Sequence, residues 1–284
     1  GDRVAISTST TAEELVRVLY GLILERGAYP HLLMEFSDQT DTLYAHASDE
    51  MLEFIPEFTK TAFEKFDVLL KIRADVNTHS LTNVDPSRQV RRQKALAKLI
   101  QAQHQRGATG ELRWMSTIFP THAYAMDAEM GFNEFQDFVY RACHADADTS
   151  NPVPYWESVQ EVQRRYIDMI QGHDRVEIRG PNADLTLSIK GRTFVNGCGH
   201  NNMPDGEIFT GPVEESANGW VRYSYPAVFQ GRVVEGVELT FKEGKVVKAT
   251  AQKNEALLLH MLDTDAGARY LGEFAIGTNE GIQR

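Results

Sequence analysis

The sequence predicts an α/β N-terminal domain with a three-layer, mostly parallel sheet, followed by a mainly antiparallel, β-rich α+β C-terminal domain. Three observations predict it. Strand-length and helix-length apolar runs alternate through the first half. From about Arg175 the pattern changes to a two-residue alternation. The 284 residues also exceed what one hydrophobic core usually serves. The boundary falls near Gly172, which makes 1–172 an α/β scaffold domain and 173–284 a β-rich domain.

Val4 to Ser7 reads as the first strand. Thr11 and Glu14 then form an S/T-x-x-E capping box that launches a helix through Leu15, Val18, Leu19, Leu22 and Ile23. Gly27 ends that helix, and His31 to Phe36 supplies a second strand, so a parallel pair with a right-handed crossover is expected. Helices around 49–55 and 58–66 precede a strand at Val68 to Ile72. A long helix follows from Pro86 to about Gln105, with Asp85 as N-cap and Pro86 at its first position. Leu112 to Phe119 is the next strand. The turn Ser7-Thr8-Ser9-Thr10-Thr11 contains no glycine, so it carries neither a P-loop nor a dinucleotide fingerprint. Arg88, Arg91, Arg92, Lys94 and Lys98 read as a solvated basic helix face. His46, His79, His104 and His122 lack ligand spacing and read as surface or capping residues.

Helices at about 128–145 and 154–171 flank a joint rich in helix breakers. Tyr155, Trp156, Val159, Val162, Tyr166, Ile167 and Ile170 recur at helical spacing, the pattern of a core-facing stripe. Beyond Gly172, strands are expected at Val176 to Arg179, Leu185 to Ile189, Trp220 to Tyr223, Val233 to Phe241 and Lys245 to Ala251, forming a barrel-like sheet. A helix covers about 254–262, and a second runs from about Ala266 towards Glu273.

Hydrophobic content of 42% and charged content of 24% are those of a soluble globular protein, and no apolar run reaches the length of a membrane span. A net charge of −11 disfavours nucleic acid as a partner. Cys143 and Cys198 are too few for a disulfide framework, and no signal-peptide pattern stands at the N-terminus, so cytoplasm is the expected compartment.

The segment Asn201 to Pro212 is crowded with Asn, Pro and Gly and turns into a short apolar strand, with Glu207 at the junction. A carboxylate on a rigid rim suits a metal ligand or general base; an ordinary exposed turn glutamate is the alternative. This stretch resembles the metal-binding loop of the thermophilic metallo-aminopeptidase family (aminopeptidase T and aminopeptidase S type). Asp184 to Arg192, Val234-Glu235-Gly236-Val237 and Asp263 to Ala275 agree with it in order. The resemblance implies that Glu207 and Glu273 each bind a divalent ion, zinc or cobalt, and that Glu273 can bridge two. The two acids are 66 positions apart, so they can meet only through the fold.

The resemblance further implies an aminopeptidase that hydrolyses N-terminal residues from peptides through a two-metal-activated water, and a homodimer assembled with the help of the N-terminal half. No separate catalytic base is assigned. Cys198 and His200 read as loop residues or soft ligands, and Glu214 and Glu215 as solvated acids or a contact for a free amino terminus. Family members continue several dozen residues past the Leu-Gly-Glu motif, where two histidines and an aspartate complete the site, and they begin with a further helix. This chain ends 11 residues after Glu273, so it is expected to be clipped at both ends, to hold half a metal site and to be weakly active alone. The alternative reading is a catalytically inactive fragment or homologue kept for assembly.

Overall fold

The computed structural model describes residues 1–229 and 231–282. The chain opens with β1 (Arg3–Ser9), α1 (Glu13–Glu25) and β2 (Tyr29–Glu35). Next come α2 (Gln39–His46), α3 (Asp49–Glu53), α4 (Glu57–Lys65) and β3 (Val68–Arg73). Then follow α5 (Pro86–Ala108), β4 (Arg113–Ile118), α6 (His122–Asp127), α7 (Phe132–Ala142) and α8 (Val153–Ile170). The remaining chain forms β5 (Arg175–Gly180), β6 (Ala183–Ser188), β7 (Val195–Gly197), β8 (Asn202–Met203) and β9 (Glu207–Thr210). It finishes with β10 (Asn218–Arg222), β11 (Ala227–Phe229), β12 (Arg232–Val234), β13 (Glu238–Lys242), β14 (Lys245–Thr250), α9 (Glu255–Leu262) and β15 (Phe274–Gly277).

Two compact units result. The first is built on Gly1–Pro152 and takes in Gly199–Asp205; the second is built from Val153–Cys198 and Gly206–Glu280. In the first, five parallel strands lie in the order β2-β1-β3-β4-β8. Successive side chains of a strand point to opposite faces, so the sheet needs a layer on each side. Ala5 and Leu69, paired in register, join Phe63 of α4 and Leu99 of α5 in one cluster. Ile6 and Ile72 join Val16 of α1 in another. This is the expected three-layer arrangement. Complete burial of Ile6 and Leu69 stabilises it by about 1.5–3 kcal/mol per side chain.

Asp85 caps α5 as expected, its carboxylate accepting from the Ser87 N–H at 2.8 Å, with Pro86 in the first turn. The capping box at Thr11 does not form. The chain enters α1 through a 3-10 turn, Thr10–Ala12, and the Thr11 hydroxyl meets the Ser37 hydroxyl at 3.0 Å. The basic helix face is also not simply solvated. Arg88 pairs with Asp49 at 2.9 Å and donates to the Ala47 carbonyl at 2.7 Å, while Arg92 donates to the Phe54 carbonyl at 2.7 Å. These arginines tie α5 to the α2–α3 segment, and Lys94 and Lys98 remain exposed.

In the second unit a five-stranded antiparallel sheet has the order β14-β13-β10-β6-β5. It is open rather than barrel-like, with β14 and β5 at its edges. Leu185, Leu187, Phe241 and Val246 of the sheet pack with Leu258 and Leu262 of α9, and Ile167 and Ile170 of α8 lie against them. That packing groups α8 with the second unit, on the far side of the boundary expected near Gly172. The strand expected over Val233 to Phe241 is broken at Gly236, whose φ of +62° takes the chain out of extended geometry. Its first part, β12, pairs with β11, and its second, β13, lies between β10 and β14. No helix begins at Ala266. Asp265 instead accepts from the Gly267 and Ala268 N–H groups at 2.8 and 2.9 Å, and the chain continues into β15.

Candidate metal centre

The second unit also contains a three-stranded antiparallel sheet, β15-β9-β7. Glu207 is the first residue of β9, where sequence placed it, at a loop-to-strand junction. The inward face of β9 explains its orientation. Ile208 is completely buried and Thr210 nearly so, the Thr210 hydroxyl donating to the Thr193 carbonyl at 2.8 Å. With those two residues fixed inward, period-two geometry sends Glu207 and Phe209 to the opposite face. Glu207 is half-buried there and Glu273 exposed.

The register relates the two acids. Glu207 pairs with Gly277 and Thr210 with Phe274, in an antiparallel ladder. One more step along it sets Glu273 opposite Gly211, where an added Cβ on Gly211 would lie 3.5 Å from the Gly272 carbonyl oxygen. Residues 275 and 277 therefore share a face with residues 209 and 207, and the same alternation carried one step past the ladder assigns Glu273 to that face. Glu207 and Glu273 stand on one face, four residues apart along the strands, or about 14 Å at 3.4 Å per residue. They are not cross-strand neighbours, and a common ion requires both side chains to lean along the face towards each other.

Glu207 has glycine on both sides. Gly277 opposes it on β15 and Gly197 on β7. A Cβ at Gly277 would meet nothing within 4 Å, so the surface beside Glu207 is open. Its backbone approach is tightly set. The Gly206 N–H donates to the Gly197 carbonyl at 3.0 Å, and the Gly206 carbonyl accepts from the Thr278 N–H at 2.7 Å. Gly206 has a φ of +115°, and a Cβ there would sit 2.5 Å from the Asn279 Cβ. Only glycine satisfies both conditions.

A carboxylate donor beside an open glycine surface, with a second about 14 Å along the strands, suits a divalent cation in donor type. They are a partial set: among the described residues, no group of three or more His, Cys, Asp or Glu could hold a metal ion. Cys198 is buried and His200 exposed. Glu214 is engaged with Arg192 at 3.0 Å, and its carboxyl lies below the usual range through a backbone hydrogen bond and the guanidinium charge. Glu215 is an exposed loop acid. A cavity of about 520 Å³ in the first unit, lined by Glu53, Ile55, Arg91, Lys94 and Lys98, includes neither Glu207 nor Glu273. Gln163, Gly197, Gly277 and Thr278 were not legible as site residues, because their relation to Glu207 exists only through strand pairing. The one sequence signal is Gln163 itself, a polar residue inside the apolar stripe of α8.

A parallel α/β unit is followed by an antiparallel unit in which Glu207 heads β9 and Glu273 immediately precedes β15. The chain belongs to the thermophilic metalloprotease family (M29), whose model matches residues 1–284. Aminopeptidase 2 of Geobacillus stearothermophilus is 27% identical over 299 residues, covering 97% of this chain and 71% of that protein. Aminopeptidase T of Thermus thermophilus is 31% identical over 176 residues, or 57% of this chain and 41% of that one. The fold matches wild-type AmpT from Thermus thermophilus with a TM-score of 0.82 at 24% identity, over 98% of this chain and 73% of that one. Among the described residues, no helix is long and apolar enough to cross a membrane.

Proposed function

We propose that the protein is an aminopeptidase that removes N-terminal residues from peptides, with Glu207 and Glu273 as carboxylate ligands of its divalent metal. What supports this reading is Glu207 at the head of β9 and Glu273 immediately before β15, its antiparallel partner, in a member of a metalloprotease family. The aminopeptidases among its relatives support the substrate class. Zinc or cobalt, in one or two ions, suits carboxylate ligation completed by nitrogen donors. Such a centre, when filled, acidifies a bound water and polarises the scissile carbonyl.

The chain's own residues do the positioning. β9 presents Glu207 beside the open surface at Gly277, and Glu273 marks the far end of the same face. The two acids supply part of the ligand set. Exposed Met51, Phe54 and Phe58 of the first unit, the last 84% exposed, support assembly as a homodimer. The low cysteine content supports a cytoplasmic setting.

The test is hydrolysis of aminoacyl chromogenic amides with zinc or cobalt supplied, before and after chelation. Turnover that chelator abolishes and metal restores is expected. Turnover indifferent to chelator contradicts the proposal.

A further inference from the structure

Gln163 of α8 is completely buried, yet it is polar. Its amide nitrogen donates twice, to the Gly197 carbonyl at 2.9 Å and to the Thr278 hydroxyl at 2.8 Å. A carbonyl oxygen can only accept, so the Gly197 contact requires the nitrogen on that side of the amide. The Gln163 Oε1 then faces elsewhere, buried and without a hydrogen-bond partner. Burying an unsatisfied acceptor destabilises the folded chain, whereas a methionine of similar length would fill the volume without that cost. Packing therefore does not account for the amide, and its two donated bonds do.

Both bonds end beside Glu207. Gly197 is the β7 partner of Glu207, and Thr278 directly follows Gly277, its β15 partner. The backbones of Gly197 and Thr278 are also the two groups that hold Gly206, one from each side. One buried nitrogen thus braces both walls of the clamp that delivers Glu207. One turn earlier on α8, the Gln160 carbonyl accepts from the Asn196 side chain at 2.9 Å, fastening β7 at a second residue.

We infer that Gln163 is a positioning residue for the metal centre: by bracing Gly197 and Thr278 it holds the Glu207 carboxylate at the place where it binds the ion. The inference rests on the reading of Glu207 as a ligand. Residues that orient a ligand from behind typically change metal affinity by about 10- to 100-fold when removed. A purely structural Gln163 would lower the metal-free melting temperature and leave affinity untouched.

Equilibrium dialysis against a zinc series reaching the millimolar range, with metal-free melting measured beside it, tests this on wild type, Gln163→Met, Thr278→Val and Glu207→Gln. Gln163→Met is expected to weaken zinc binding by at least about tenfold while the protein stays folded. Thr278→Val, which loses one of the two braces, should fall between it and wild type. Gln163→Met or Thr278→Val with wild-type affinity, while Glu207→Gln loses binding, overturns the positioning role alone. Wild-type affinity in Glu207→Gln, or no zinc binding by wild type, overturns the ligand reading and the inference together. If Gln163→Met does not fold, Thr278→Val decides between the same outcomes.

Discussion

Glu207 faces Gly277 across the β9–β15 ladder, and nothing lies within 4 Å of where a Gly277 side chain would begin. The acid therefore borders open surface on the side where Glu273 also stands. Gly277→Ala should fold at least as well as wild type, since glycine within a strand costs roughly 0.5–1 kcal/mol relative to alanine. Gly277→Trp should also fold, but should lower kcat/KM by roughly a hundredfold through displacement of the reacting groups. Steady-state kinetics and thermal melting of both variants check this. Full activity in Gly277→Trp would separate that surface from the reaction.

Gly206 carries the backbone that delivers Glu207. Gly206→Ala forces a φ of +115° on an L-residue and sets its Cβ 2.5 Å from that of Asn279. A destabilisation of about 1–3 kcal/mol is expected, read as a lower urea midpoint. An unchanged midpoint would mean that the loop relaxes freely.

Ile208 anchors β9 from its buried face at 0% exposure. Ile208→Ala should cost about 3 kcal/mol through the cavity it leaves. Loss of less than about 1 kcal/mol, the scale of removing one methylene, would show that β9 is not held by that side chain.

Alkaline sensitivity follows from partly desolvated acidic groups. Burial pushes the Cys143 thiol up to about 11 from 9.0, and it is the largest cause raising Tyr44, Tyr124, Tyr155 and Tyr223. Each group keeps its proton longer folded than unfolded, so above pH 9 the unfolded state holds fewer protons. Their contribution to stability is intact below the unfolded values and is lost as pH rises through the folded ones. The melting temperature should fall progressively between about pH 9 and 11. Cys143 should resist iodoacetamide at pH 8 until denaturant is added, because the thiolate is the reactive form. A melting temperature flat over that range, or fast native alkylation of Cys143, would contradict this.

Much of the fold could be read from local pattern. The alternation of β1, α1 and β2, the Asp85 cap on α5 and the position of Glu207 at the head of β9 all rest on neighbours in sequence. The misreadings arise where a distant partner decides. Asp265 has helix-start character, yet its carboxylate closes a local turn, and Phe274 to Gly277 finds β9 instead. Thr11 meets Ser37 rather than capping its own helix. Gln163 lies four residues after Val159 in the core stripe, and only the packed strands show what its amide holds.

The central claim is that Glu207 and Glu273, at opposite ends of one strand-pair face, act on a single metal centre. A double-mutant cycle on zinc affinity, using Glu207→Gln, Glu273→Gln and both together, tests it most directly. The account predicts that each single change weakens binding and that the double change costs less than the two combined, with a coupling of about 1 kcal/mol or more. Wild-type affinity in either single variant, or strictly additive losses, would contradict it.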